Sequence, residues 1–147
     1  MSAPRLEINL DKLQHNARIL VERLGTRGIT VTGVTKAFLG NPVIASALLR
    51  AGVTSLGDSR IENIQTMRSA NLAASMSLIR SPMPSQIDQV VAFTDLSFNT
   101  ELAVIRLLSS AALKAKRIHG VILMVELGDL REGILPVDVD TIVPEIL

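Results

Sequence analysis

Cysteine, tryptophan and tyrosine are absent from this chain, and three phenylalanines are its only aromatic residues. Without cysteine there is no disulfide and no thiolate metal site. With 2% aromatic residues there is little for nucleic-acid bases to stack on. No sign of charge predominates either, since 15 basic residues face 14 acidic ones, which removes the electrostatic case for a nucleic-acid partner. No apolar run approaches membrane-spanning length, and the start, MSAPRLEINLDKL, lacks a basic segment followed by an apolar core and cleavage site. The expectation is a cytoplasmic protein with no metal, nucleic-acid or membrane partner.

What is abundant is aliphatic. Hydrophobic residues make up 48% of the chain, and with so few aromatics the mean hydropathy of +0.38 rests on Ala, Val, Ile and Leu. Such a composition suits a parallel sheet wrapped by helices, with strands buried on both faces. At 147 residues the length is that of one ordinary domain. The stretch that organises it is residues 28–40, GITVTGVTKAFLG. Ile29, Val31 and Val34, with Thr30, Thr32 and Thr35 between them, favour a strand covered on both faces that delivers Lys36 at its far end. Burial disfavours the charged form of a lysine, so an amine at the end of a buried parallel strand is a candidate Schiff-base nucleophile. The competing reading is that Lys36 only marks where the strand meets water.

Taken in order, residues 5–9 alternate like a short strand. Asp11 and Gln14 then form a capping box for a helix with Leu13, Ala17, Leu20, Val21 and Leu24 as its apolar stripe and Gly25 as its stop. Asn41 and Pro42 open a second helix through Ala51, with Val43, Ile44, Ala47 and Leu48 inward and Gly52 ending it. Residues 53–56 read as a strand, and Ser59 and Glu62 as the capping box of a helix carrying Ile61, Ile64 and Met67 inward. A third strand at 76–79 ends before Arg80, and Ile87, Val90 and Val91 suit a short helix. A fourth strand at 95–98 precedes a long helix capped by Asn99 or Thr100, with Leu102, Ile105, Leu108 and Ala112 inside. Residues 120–127 form a fifth strand. A last helix starts near Asp140, because Pro144 is tolerated only in a first turn.

From the Lys36 strand onward, strands and helices alternate with one unit about every 20 to 25 residues, the signature of parallel βα repeats. The fold class is therefore α/β, as an open doubly wound sheet or as about the first five units of a TIM-type (β/α)8 barrel of roughly 250 residues. The nucleotide fingerprints of the open sheet, G-x-G-x-x-G and the P-loop, are missing. In both architectures the carboxyl ends of the strands form the ligand face. A polar cluster follows every strand: Lys36, then Asp58, Arg60 and Asn63, then Arg80, then Asn99, then Glu126 and Arg131. His15, on the first helix, and His119, at the amino end of the fifth strand, read as structural.

Four segments together resemble one family. RLEINLDKLQHN at 5–16, VTGVTKAFLGNP at 31–42, LGDSRIENI at 56–64 and MVELGDLREGI at 124–134 are similar, in order and spacing, to the alanine racemase amino-terminal-domain family, most of all its ornithine-racemase-like branch. The resemblance implies a fold-type III barrel, pyridoxal 5'-phosphate as cofactor and an amino acid as small-molecule substrate. It implies that Lys36 holds the cofactor as an internal aldimine and, once released, is the base on one face of the α-carbon. It also implies that Arg131 contacts the cofactor's phenolic oxygen, the alternative being a surface ion pair with Glu132 or Asp129. Asp58, Arg60, Asn63, Arg80, Asn99 and Glu126 complete the cofactor-binding candidates; Asp58 serves equally as a helix cap, and Asn63 as a solvent-facing residue.

Two features depart from that family. Its barrel has eight units, so residues 1–147 are expected to be a single partial barrel domain cut short at its carboxyl end, without the later strands that hold phosphate and face the pyridine nitrogen. The tyrosine that serves alanine racemase as second acid/base has no counterpart, since the chain contains none. The expected function is an amino-acid racemase or its N-terminal portion; the alternatives are a non-catalytic pyridoxal-phosphate-binding protein and an inactive fragment. An open sheet leaves two unpaired edges and an uncovered interior, so a homo-oligomer, most simply a dimer, is expected.

Overall fold

A computed structural model describes residues 4–147. Its five strands, β1 (Thr32–Val34), β2 (Ser55–Asp58), β3 (Ser75–Leu78), β4 (Leu96–Asn99) and β5 (Gly120–Leu123), form one parallel sheet in sequential order. The helices are α1 (Leu10–Gly25), α2 (Pro42–Arg50), α3 (Ile61–Ser69), α4 (Ile87–Phe93), α5 (Leu102–Ala115) and α6 (Val139–Ile146). Right-handed crossovers between strands laid down always in the same direction put every connecting helix on one face. The strand order never reverses, as a doubly wound sheet would require; the winding is that of a barrel.

The core lies between the sheet and those helices. Leu56, Met76 and Leu78 point outward from the strands against Ile61, Ile64 and Met67 of α3, Val90 and Val91 of α4 and Leu108 of α5. The opposite, concave face carries Thr32, Val34, Ser55, Ser77, Leu96, Phe98 and Ile122. Here the structure corrects the expectation of strands covered on both sides. In β1 Thr32 and Val34 are exposed and only Gly33 is buried, because no element among the described residues packs on the inner face.

Several element ends also differ from the sequence reading. Residues 5–9 form no strand: a lone extended segment has no ladder partner for its backbone groups. Asn9 caps α1 instead, its Oδ1 accepting from the Lys12 N–H at 2.9 Å, and Asp11 falls in the first turn, where it complements the helix dipole. Leu20 is exposed, since α1 packs chiefly on α2. Asn41 and Pro42 cap α2 and Ile44, Ala47 and Leu48 are buried as expected, but Val43 is exposed and Ala45 is buried with them. Ser59 makes no cap bond to α3; Asp58 takes the Arg60 N–H at 3.0 Å. Neither Asn99 nor Thr100 caps α5, which starts at Leu102 with Glu101 in the cap position; the Asn99 side chain turns back to Ser97 and the Thr100 Oγ1 lies 3.2 Å from Ser81 Oγ. β5 stops at Leu123 and the chain turns away, keeping one bridge from Val125 to Ile134. A 3-10 turn, Pro136–Asp138, starts α6 early enough that Pro144 lies inside it.

The amino ends of the strands are closed by Arg68, which the sequence reading passed over. Its Nε and Nη1 donate to the carbonyls of Phe93 and Ala74 at 3.0 Å each, and Nη2 to Asp95 Oδ2 at 2.7 Å. The same Asp95 oxygen accepts the Met76 N–H at 2.7 Å.

Candidate active site at the carboxyl ends of the strands

At the other end of the sheet β1 runs out into a 3-10 turn, Lys36–Phe38. Lys36 opens that turn with its side chain exposed, and among the described residues no carboxylate pairs with it. Of the two sequence readings, a buried amine and a lysine marking where the strand meets water, the exposure agrees with the second. Lys36 lies two residues beyond Val34, the last residue of β1, in the turn and not in the sheet. Leu39 and Gly40 leave the turn with φ of 55° and 65°.

Asp58 ends β2 beside this turn and is fully buried. Its Oδ2 accepts from Thr35 Oγ1 at 2.6 Å, and its Oδ1 accepts from Asn63 Nδ2 at 2.9 Å as well as from the Arg60 N–H. Asp58 thus acts as a tie between β1, β2 and α3 and faces the helix layer. Asn63, half-buried, bonds to Asp58 and does not simply face solvent. Thr35 is the residue that sequence reasoning missed here. Its neighbour Lys36 drew attention, but a partner for its hydroxyl becomes visible only once the register Val34 to Gly57 is known.

Arg60 and Arg80 meet along a groove of about 460 Å³ between the loops that follow β2 and β3, with Ser59, Glu62, Ser81 and Gln86 also lining it. Both arginines are exposed and free of ion pairs among the described residues. Glu62 Oε1 is engaged by Gln86 Nε2 at 3.1 Å.

Arg131 is exposed on the loop after β5. The ion pair with Glu132 or Asp129 that competed for it does not form among the described residues. Three strands separate it from Lys36 in the sheet. Glu126 serves the same loop: its carboxylate accepts the N–H groups of Gly128 and Arg131. Backbone N–H groups, that of Leu130 first and that of Gly128 next, hold its carboxyl below the ordinary 4.5. Asn99 turns inward, its Nδ2 donating to Ser97 O at 2.8 Å and Ser97 Oγ at 3.1 Å. Lys36, Arg60, Arg80 and Arg131 therefore share the carboxyl rim with free side chains, while Asp58, Asn63, Asn99 and Glu126 are engaged within the protein. No group of three or more His, Asp or Glu among the described residues could hold a metal ion, and none of the described helices is long and apolar enough to cross a membrane.

This arrangement has counterparts. Residues 8–147 match the model of the alanine racemase N-terminal domain. The chain belongs to that family. It is 39% identical over 134 residues to a lysine racemase of Thermotoga maritima, an alignment covering 91% of this chain and 38% of that protein. It is 35% identical over 130 residues to an ornithine racemase of Acetoanaerobium sticklandii, covering 88% and 36%. The chain thus spans less than two fifths of the length of these curated relatives. Among solved structures, D-threonine aldolase from Filomicrobium marinum superposes with a TM-score of 0.82 at 16% identity, over 92% of this chain and 37% of that one. At that identity the likeness speaks for the fold alone, and it supports the barrel winding read from the strand order.

Proposed function

We propose that this chain is the cofactor-lysine portion of a pyridoxal-phosphate-dependent amino-acid racemase, with Lys36 as the lysine that carries the cofactor. One observation bears most of the weight: an exposed amine, unpaired among the described residues, stands in the turn at the carboxyl end of a parallel strand in a member of the alanine racemase N-terminal domain family. The donor set fits a phosphate-bearing aldehyde. A primary amine is free to condense with the aldehyde, and three arginines without ion partners among the described residues stand on the same rim to face anionic groups. When bound, pyridoxal phosphate withdraws electrons from the α-carbon of a condensed amino acid and makes its proton acidic. The Lys36 amine would take that proton from one face, and inversion would need a second acid to deliver a proton to the opposite face. Arg131 would supply a guanidinium to the cofactor's phenolic oxygen. Lysine and ornithine, the amino acids named in the relatives, are the substrates to try first.

The reading predicts that, with pyridoxal phosphate in deuterated water, L-lysine or L-ornithine exchanges its α-hydrogen and yields the D-enantiomer, and that Lys36→Ala does neither. The absence of tyrosine favours a second reading, a cofactor-binding protein without turnover. It predicts covalent capture on Lys36 with no α-hydrogen exchange.

A further inference from the structure

The turn that presents Lys36 is fastened at both ends to one pair of neighbours. At its leading end Thr35, fully buried, donates its hydroxyl to Asp58 Oδ2 at 2.6 Å and its N–H to Gly57 O at 2.9 Å. At its trailing end Gly40 lies flush on Asn63, where a Cβ would stand 2.8 Å from both the Asn63 Cβ and its carbonyl oxygen. Asp58 and Asn63 are themselves joined at 2.9 Å. Between the anchors the backbone is drawn tight. The N–H groups of Phe38 and Gly40 reach Thr35 O at 3.1 and 3.2 Å, and that of Leu39 reaches Lys36 O at 3.3 Å. Leu39 adopts a left-handed φ of 55°, which a side chain with a Cβ holds only where its surroundings impose it.

We propose that Thr35 and Asp58 are positioning residues for Lys36, and that with Asn63 they form a clamp which fixes the Lys36 backbone against β2 and α3. The assignment rests on the reading of Lys36 as the cofactor lysine. All three donors to Asp58 are uncharged in character: a hydroxyl, a carboxamide and a backbone N–H. The carboxylate is therefore consumed as a fastener and is not available on the open face for reaction. A lysine reaches its target through a flexible four-carbon stem, and a displacement of about 1 Å at a reacting group can cost about a hundredfold in rate. A clamp at the Cα removes one source of that displacement while leaving the stem free.

The test compares the parent chain with Thr35→Val, which keeps the volume and removes the hydroxyl, and with Thr35→Ser, which restores it. Amide hydrogen exchange without cofactor reads the turn directly. In Thr35→Val exchange at Phe38, Leu39 and Gly40 should rise by about tenfold, the scale of one lost buried hydrogen bond, with circular dichroism unchanged. Labelling reads the amine: after pyridoxal phosphate and borohydride, Lys36 in Thr35→Val should lose most of its label relative to Lys114 and Lys116, and Thr35→Ser should recover it. Asp58→Asn, which turns an amide donor toward existing donors, reads the same tie from the carboxylate side if the valine variant does not fold. Parental exchange rates in the turn, or parental labelling of Lys36, in Thr35→Val overturn the clamp. A parent chain labelled on many lysines without preference for Lys36 overturns the functional reading instead, while the exchange result still decides the clamp.

Discussion

Lys36 was legible as a candidate because an amine after a β-branched run is conspicuous, yet its surroundings were not. It lies in the turn after β1, fastened to partners in β2 and α3 that folding brings near, and no local pattern encodes those. His119 is the converse case. Its place before β5 suggested a structural role, and its Nε2 lies 2.9 Å from Ser97 Oγ. Burial is the largest influence on it and holds its pKa below the ordinary 6.5; the Thr94 carbonyl and Asp95 oppose that shift, and Arg117 adds to it. The folded protein thus binds its proton less readily than the unfolded chain. Stability is full above about pH 6.5 and declines as the pH falls from there through the lower folded pKa. Urea midpoints measured from about pH 7.5 down to 5 should decrease, and the decrease should shrink in His119→Gln; equal pH profiles for the two proteins would remove His119 from the explanation.

Elements were readable wherever one signal stood alone. Asn41 followed by Pro42 has no rival, and α2 starts there. Ile61, Ile64 and Met67 recur at helical spacing and are all buried in α3. Caps were less readable: Asn9 rather than Asp11 takes the Lys12 N–H, and α3 has no side-chain cap bond, Asp58 accepting instead from the N–H of Arg60, which precedes that helix. Arg68 was invisible because its three acceptors come from segments brought together only by folding. Truncating Ile64, which is 0% exposed, to Ala should cost about 2–5 kcal/mol and lower the denaturation midpoint without altering the slope. A loss below about 0.5 kcal/mol, the range of ordinary surface changes, would mean that the α3 layer is not the packed core described here.

For the whole molecule, the alternation of strands and helices was enough to reach a parallel βα fold, and the unbroken strand order then selected the barrel winding. What no periodicity could supply is the state of the concave face. It leaves β1 and β5 as open edges and Val34 and Ile122 exposed, at 45% and 40%. Unpaired parallel edges beside apolar surface invite association. Light scattering is expected to show an oligomer, most simply a dimer, at tens of micromolar, the regime in which exposed edges and apolar surface associate; a stable monomer there would contradict this. Mass analysis after pyridoxal phosphate and borohydride treatment decides whether Lys36 is the cofactor lysine. One reduced pyridoxyl-phosphate label is expected on the peptide containing Lys36, with its loss in Lys36→Ala. Label spread evenly over Lys12, Lys114 and Lys116, or unchanged in Lys36→Ala, would contradict that role.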